Sequence, residues 1–109
     1  MATTYKVLGQ SAPSATSLTT LYTVPAATST IVSTITVANR AASAGTYRIA
    51  VRVAGASIAN GQYIIYDASL SANSTDTMTL GITLAATDVV SVYASTADFT
   101  FNAFGTELS

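Results

Sequence analysis

The carboxylates Asp67, Asp76, Asp88, Asp98 and Glu107 are the first place to look for acid–base chemistry in this sequence. A glycoside-cleaving pair needs two carboxyl groups held about 5–9.5 Å apart across a cleft. No two of these lie close enough in sequence for local structure to pair them. Asp88 and Asp98 instead stand directly ahead of β-type runs, where a short acceptor takes up free backbone N–H groups. Asn73-Ser74-Thr75-Asp76 is the one stretch of loosely clustered oxygens, a weak match to a calcium loop, and its first three residues spell a glycosylation sequon. With no His and no Cys, the Ser-His-Asp and Cys-His arrangements, thiolate redox chemistry and the usual zinc and iron–sulfur ligand sets are absent. The expectation is a protein without catalytic residues, metal ligands or cofactor.

Two other groups of side chains are suited to binding. Arg40, Arg48 and Arg52 account for three of the four cations and fall close together in sequence, as a small patch for an acidic partner surface would. Tyr5 and Lys6, near the start of the chain, join them as candidate partner contacts. Among the six tyrosines, Tyr63, Tyr66 and Tyr93 form a candidate glycan-stacking face. The three-residue spacing of Tyr63 and Tyr66, however, puts them on opposite faces of a regular strand.

Composition narrows the classes further. The chain has 109 residues, of which 20 are Ala, 19 Thr and 13 Ser, while only 8% are charged and the net charge is −1. An ordinary soluble domain carries roughly 25% charged residues, so little long-range repulsion keeps copies of this chain apart. Four basic residues cannot track a phosphate backbone, which argues against a nucleic-acid partner. An apolar content of 50% with low net charge is the opposite of a disordered composition. No apolar run is long enough to span a membrane as a helix. The opening Met-Ala-Thr-Thr-Tyr-Lys lacks the basic and apolar regions of a secretory signal, so the expected protein is the whole chain, made in a cytoplasm.

These side chains must be positioned by strands, because period-two alternation runs through most of the chain and helical periodicity does not. Tyr47, Ile49, Val51 and Val53 point one way, with Arg48, Ala50 and Arg52 on the other. Met78, Leu80, Ile82 and Leu84 oppose Thr77, Thr79 and Thr83, with Gly81 marking a bulge. In Thr30 to Val37, alternation places Ile31, Ile35 and Val37 on one face and Val32, Thr34 and Thr36 on the other. Phe99, Phe101 and Ala103 share a face, and further strands are expected at Tyr5–Leu8, Leu18–Val24, Tyr63–Tyr66 and Val89–Ala94. Turn residues separate these runs, and Asn60-Gly61 suits a type I′ hairpin turn. The expected fold is all-β: one antiparallel, jelly-roll-like sandwich of about eight short strands over 1–109. An immunoglobulin-like strand order is equally compatible with periodicity alone. Residues 1–10 and Phe104 to Ser109 are read as extended arms or added strands available for contacts.

Several of these runs resemble short virion proteins of tailed bacteriophages, cyanophages among them. The likeness rests on Thr20-Leu21-Tyr22-Thr23-Val24-Pro25-Ala26, on Val32 to Arg40 and on Tyr47 to Arg52. It continues through Thr87 to Ala97 and Phe101 to Glu107. The resemblance implies a non-enzymatic β-sandwich of the phage particle, present in many copies as a trimer or dimer. Such a protein decorates and cements the capsid shell, or attaches to tail, baseplate or fibre components where a host-surface glycan is bound. Its implied partners are the major capsid protein or tail components, and its implied location is the virion, after synthesis in the host cytoplasm. The resemblance carries no catalytic or ligand residue, and it makes Asn39, Arg40 and Asp88 turn and strand-edge residues.

Overall fold

Each alternating run becomes a strand in the computed structural model, which describes residues 2–109. The strands are β1 (Thr3–Ser11), β2 (Thr19–Thr23), β3 (Ser29–Asn39), β4 (Gly45–Arg52), β5 (Tyr63–Leu70), β6 (Thr75–Leu84), β7 (Val89–Ala94) and β8 (Phe99–Leu108). They form two four-stranded sheets, ordered β1-β8-β3-β6 and β2-β7-β4-β5. The pairs β1:β8, β2:β7, β3:β6 and β4:β5 are nested, like one long hairpin with β4 and β5 at its tip. Rolling that hairpin up adds the antiparallel pairs β3:β8 and β4:β7. This is the jelly-roll strand order, and it excludes the immunoglobulin-like alternative.

Between the sheets lie Ile35 and Val37 of β3, Tyr47 and Ile49 of β4, Val90 and Val92 of β7, and Phe99, Phe101 and Ala103 of β8, all buried. The Tyr47 ring meets Phe99 and Phe101 at centroid separations of 6.2 and 6.1 Å, tilted as aromatic quadrupoles prefer. Asn39, also buried, closes one end of the sandwich. Its amide donates to the carbonyls of Ser43, Leu70 and Ser71, and its side-chain oxygen accepts from the Ala41 N–H.

Strict alternation fails where strands bulge. Val32 is fully buried while Ile31 is 40% exposed, the reverse of the expected assignment. The register with β8 runs Val32↔Gly105 and then Thr34↔Phe104, so Ser33 is an extra residue that flips the phase of the strand. Strand β6 bulges opposite it, at Leu80 and Gly81, and Gly81 adopts φ 62°. Leu80 therefore stands 45% exposed and does not join Met78, Ile82 and Leu84 against the core. Val53, expected to face inward, is 67% exposed because β4 ends at Arg52 and the chain enters a one-turn 3-10 helix, Val53–Gly55.

Asn60-Gly61 makes no type I′ turn. Both residues lie in a second 3-10 turn, Asn60–Gln62, and neither has positive φ. The β4–β5 connection is too long for a two-residue hairpin loop. The segment 1–10, read as an arm or added strand, is from Thr3 onward the edge strand β1, paired to β8 from Thr3↔Leu108 to Ser11↔Phe101. Ala2 and Ser109 exchange backbone hydrogen bonds of 2.6 and 2.9 Å, so the last residues continue β8 and do not leave the sheet.

Candidate functional site

The outer face of the β2-β7-β4-β5 sheet is built around Arg48. Arg48 and Tyr93 are register partners on β4 and β7, which places their side chains next to each other. On the other side, β5 bulges twice against β4, the register running Tyr47↔Ala68, Ile49↔Ile65 and Ala50↔Tyr63. The first bulge takes both Tyr66 and Asp67 off the core side, and Asp67 adopts φ 51°, a left-handed conformation that Asp tolerates better than most residues. The second, at Ile64, returns Tyr63 to the outer face. Tyr63 and Tyr66 therefore share a face, against the expectation from their spacing, and meet edge to face at 5.0 Å and 81°.

The Arg48 guanidinium carbon lies 4.2 Å from the Tyr66 ring centroid, 4.3 Å from that of Tyr93 and 6.0 Å from that of Tyr63. Its Nε and Nη2 donate to the two carboxylate oxygens of Asp67 at 2.6 and 3.3 Å. Asp67 raises the arginine pKa above its ordinary value. Planar stacking and a forked ion pair are both properties of arginine that lysine lacks. Asn60, Tyr63 and Tyr66 line a shallow depression of about 390 Å3 beside this cluster.

The two candidate sets drawn from the sequence thus meet at Arg48, but the remaining members are dispersed. Arg52 donates to the carbonyls of Ala56 and Gly55 at 2.7 and 3.0 Å, pinning the β4–β5 connection. Arg40 follows β3, where its N–H reaches Asp98 O at 2.9 Å and its guanidinium Ala97 O at 3.3 Å. Tyr5 and Lys6 lie on β1, in the other sheet, with Lys6 3.4 Å from Glu107.

The carboxylates other than Asp98 take side-chain or backbone donors within the fold. Asp88 accepts from the N–H groups of Ala54 and Ala85 at 2.8 and 2.9 Å, the acceptor role expected of it. At Asp98 the backbone oxygen is used instead. Asp76 accepts from the Tyr47 hydroxyl at 2.8 Å, and Glu107 from the Tyr22 hydroxyl at 2.5 Å. Burial, then the Glu107 hydrogen bond, pushes the Tyr22 phenol up to about 12. Burial and Asp76 likewise raise Tyr47. The Tyr22 hydrogen bond in turn holds Glu107 below the usual carboxylate range. Among the described residues no group of three or more carboxylates is placed to hold a metal ion.

Asp67 and Asn60 also lie at the site, although the sequence marked Asp67 only as one of five carboxylates and Asn60 only as a turn residue. The one trace of this placement is the loss of alternation in Tyr63-Ile64-Ile65-Tyr66, the region where β5 bulges.

The outer face of the other sheet is apolar at one end. Tyr5, Val7, Ile31 and Leu80 are 82%, 48%, 40% and 45% exposed. Thr106 lies between Tyr5 and Ile31 in the register, and Val7 pairs with Phe104. No family model, curated protein or solved structure matches this chain.

Proposed function

We propose that this chain is a non-enzymatic structural protein of a phage particle, a capsid decoration (cement) protein that bridges neighbouring shell subunits. The observation that carries this reading is the apolar outer face of the β1-β8-β3-β6 sheet, on a chain whose net charge is only −1. Large apolar groups grouped on the solvent side of a sheet mark a surface that a neighbour covers. Four strands about 4.8 Å apart, each of some ten residues at about 3.4 Å, give a face of roughly 600 Å2. That approaches the ~800 Å2 that each partner contributes to a standard interface. At about 25 cal/mol per Å2, only the apolar end of that face contributes to the gain, and association costs are set against it, so each junction supplies a small surplus. Repeated over a shell, this opposes the outward pressure of packaged DNA. The partners in this reading are the major capsid protein and further copies of the chain, as trimer or dimer. The jelly roll supports it only in kind, since the same fold serves capsid and lectin domains.

A second reading, a tail, baseplate or fibre module that binds a host-surface glycan, is favoured by the Tyr63, Tyr66, Tyr93 and Arg48 cluster. Copy number on purified particles separates the two. Gel densitometry with cryo-electron microscopy of intact particles is expected to find hundreds of copies on the shell. A few to a few dozen on the tail selects the second reading, and absence from particles overturns both.

A further inference from the structure

We infer that Asn60, Tyr63, Tyr66, Asp67 and Arg48 form a binding site for a neutral pyranose sugar. This rests on the glycan-binding reading for its ligand chemistry, but not for the place of the chain in a particle. Tyr66 is 59% exposed, yet its ring is fixed by the Arg48 guanidinium at 4.2 Å and the perpendicular Tyr63 ring at 5.0 Å. An exposed aromatic ring that is free to rotate loses that freedom when a ligand stacks on it. Here the loss is already incurred on folding, which is the preorganisation a weak, flat ligand needs. The electron-rich ring face suits the weakly positive C–H face of a pyranose.

The polar groups at the rim match hydroxyls. Asp67 is an acceptor with lone pairs beyond the two contacts from Arg48, and Arg48 retains N–H groups beyond Nε and Nη2. The Asn60 amide offers one donor group and one acceptor at the same depression. A sugar hydroxyl both donates and accepts, so a mixed rim serves it. Charge decides the subclass. The guanidinium is matched by Asp67 in a fork, so the cluster is neutral and gains little from an anionic sugar. The same balance disfavours a nucleotide: a base would stack on the ring, but its phosphate would need a free cation, and Arg52 is held by the carbonyls of Ala56 and Gly55. The depression, about 390 Å3, is within the ~300–1,000 Å3 range of small-ligand sites. Shielding the sheet beneath, where Ala50 and Ser91 are fully buried, calls for apolar cover but not for a forked ion pair beneath a half-exposed ring.

The test uses the methyl glycosides of glucose, galactose, mannose and N-acetylglucosamine as probes, with methyl glucuronide as the anionic control. Binding to the full chain is followed by saturation-transfer and amide-shift NMR. At least one neutral glycoside is expected to bind with a Kd on the order of 1 mM. Its ring C–H protons should receive saturation, with shifts centred on Arg48, Asn60, Tyr63, Tyr66 and Asp67. Tyr66→Ala should weaken binding at least tenfold, Tyr66→Phe should retain it, and Tyr5→Ala on the opposite sheet should leave it unchanged. Should Tyr66→Ala not fold, Asn60→Ala gives the same comparison at the rim. Silence of all the neutral glycosides at about 20 mM, well above that Kd, overturns the inference. So does undiminished binding by the variants, or a preference for the glucuronide. None of these results bears on where the chain sits in a particle, which copy number decides separately.

Discussion

At the scale of single residues, two phenols, Tyr22 and Tyr47, each donate a hydrogen bond to a carboxylate of the opposite sheet. Tyr22 donates to Glu107 at 2.5 Å and, its own proton used, accepts from the Thr30 hydroxyl at 2.8 Å. The folded phenol keeps its proton up to about 12, against an ordinary 10.0. The unfolded chain therefore releases that proton first as pH rises. The stability this pair contributes is whole below pH 10 and is lost as pH climbs toward 12. Urea unfolding across that window should show a falling midpoint for the wild type and a flatter one for Tyr22→Phe. Tyr22→Phe should cost about 1–2 kcal/mol at neutral pH, the loss of one half-buried hydrogen bond to a charged group. Equal slopes for the two proteins would reject the assignment. On the acid side the sign reverses. Glu107 is held below its ordinary 4.5, so its contribution is present above that value and lost as pH falls through the folded pKa. Glu107→Gln should be less stable at neutral pH and less sensitive to acid. The residue types at the candidate site were legible in the sequence: Arg48, Tyr63, Tyr66 and Tyr93 all carry it. The partner of Arg48 was not, because Asp67 reaches it only through a backbone irregularity.

The irregularities belong to the scale of elements. Most of the eight strands could be read from alternation because they have one face on the core and one more open to solvent, and period two records that difference directly; β7, buried on nearly its whole length, shows it least. A bulge adds a residue without any change in composition, so Ile31 and Val32 exchange faces and Tyr63 and Tyr66 come together with nothing in the pattern to announce it. Two glycines separate the physical causes at this level. A Cβ on Gly105 would sit on the Ile31 carbonyl oxygen, in the centre of the β3–β8 pairing. Gly81, at the β6 bulge, has open space around its Cβ position but φ 62°. Gly105→Ala must therefore push two paired strands apart and should cost about 3 kcal/mol or more. Gly81→Ala meets only the left-handed backbone penalty of about 1–2 kcal/mol. Chemical denaturation of both variants checks the order, and similar losses would show that steric approach is not what requires glycine at Gly105.

For the whole molecule, topology and surface act together. Rolling a nested hairpin places β1 against β8, so both ends of the chain lie along one edge of the sheet that bears the apolar face. Ala2, Thr3 and Thr4 supply the outermost rungs, against Ser109, Leu108 and Glu107, while the first core residue is Leu8. Deleting residues 1–4 should accordingly leave the domain folded and, under the proposed capsid role, weaken its attachment to a particle. Equal occupancy of particles with and without those residues would reject that. The face itself makes a stronger demand. Ile31 and Leu80 are turned to solvent by the bulges that bury Val32 and turn the half-buried Ile82 toward the core behind them. Replacing them changes the surface without emptying the core. With a net charge of −1, nothing electrostatic opposes pairing of two such faces. The wild type is expected to sediment as a dimer or trimer at about 100 μM, and Ile31→Lys with Leu80→Lys as a monomer, since like charges placed across a desolvated contact cost several kcal/mol. Unfolding of the separated domain should move by no more than about 0.5 kcal/mol for each surface change. A wild type that is monomeric at that concentration would leave the apolar face without a homotypic partner, and the proposed capsid role would then rest on a different protein covering it.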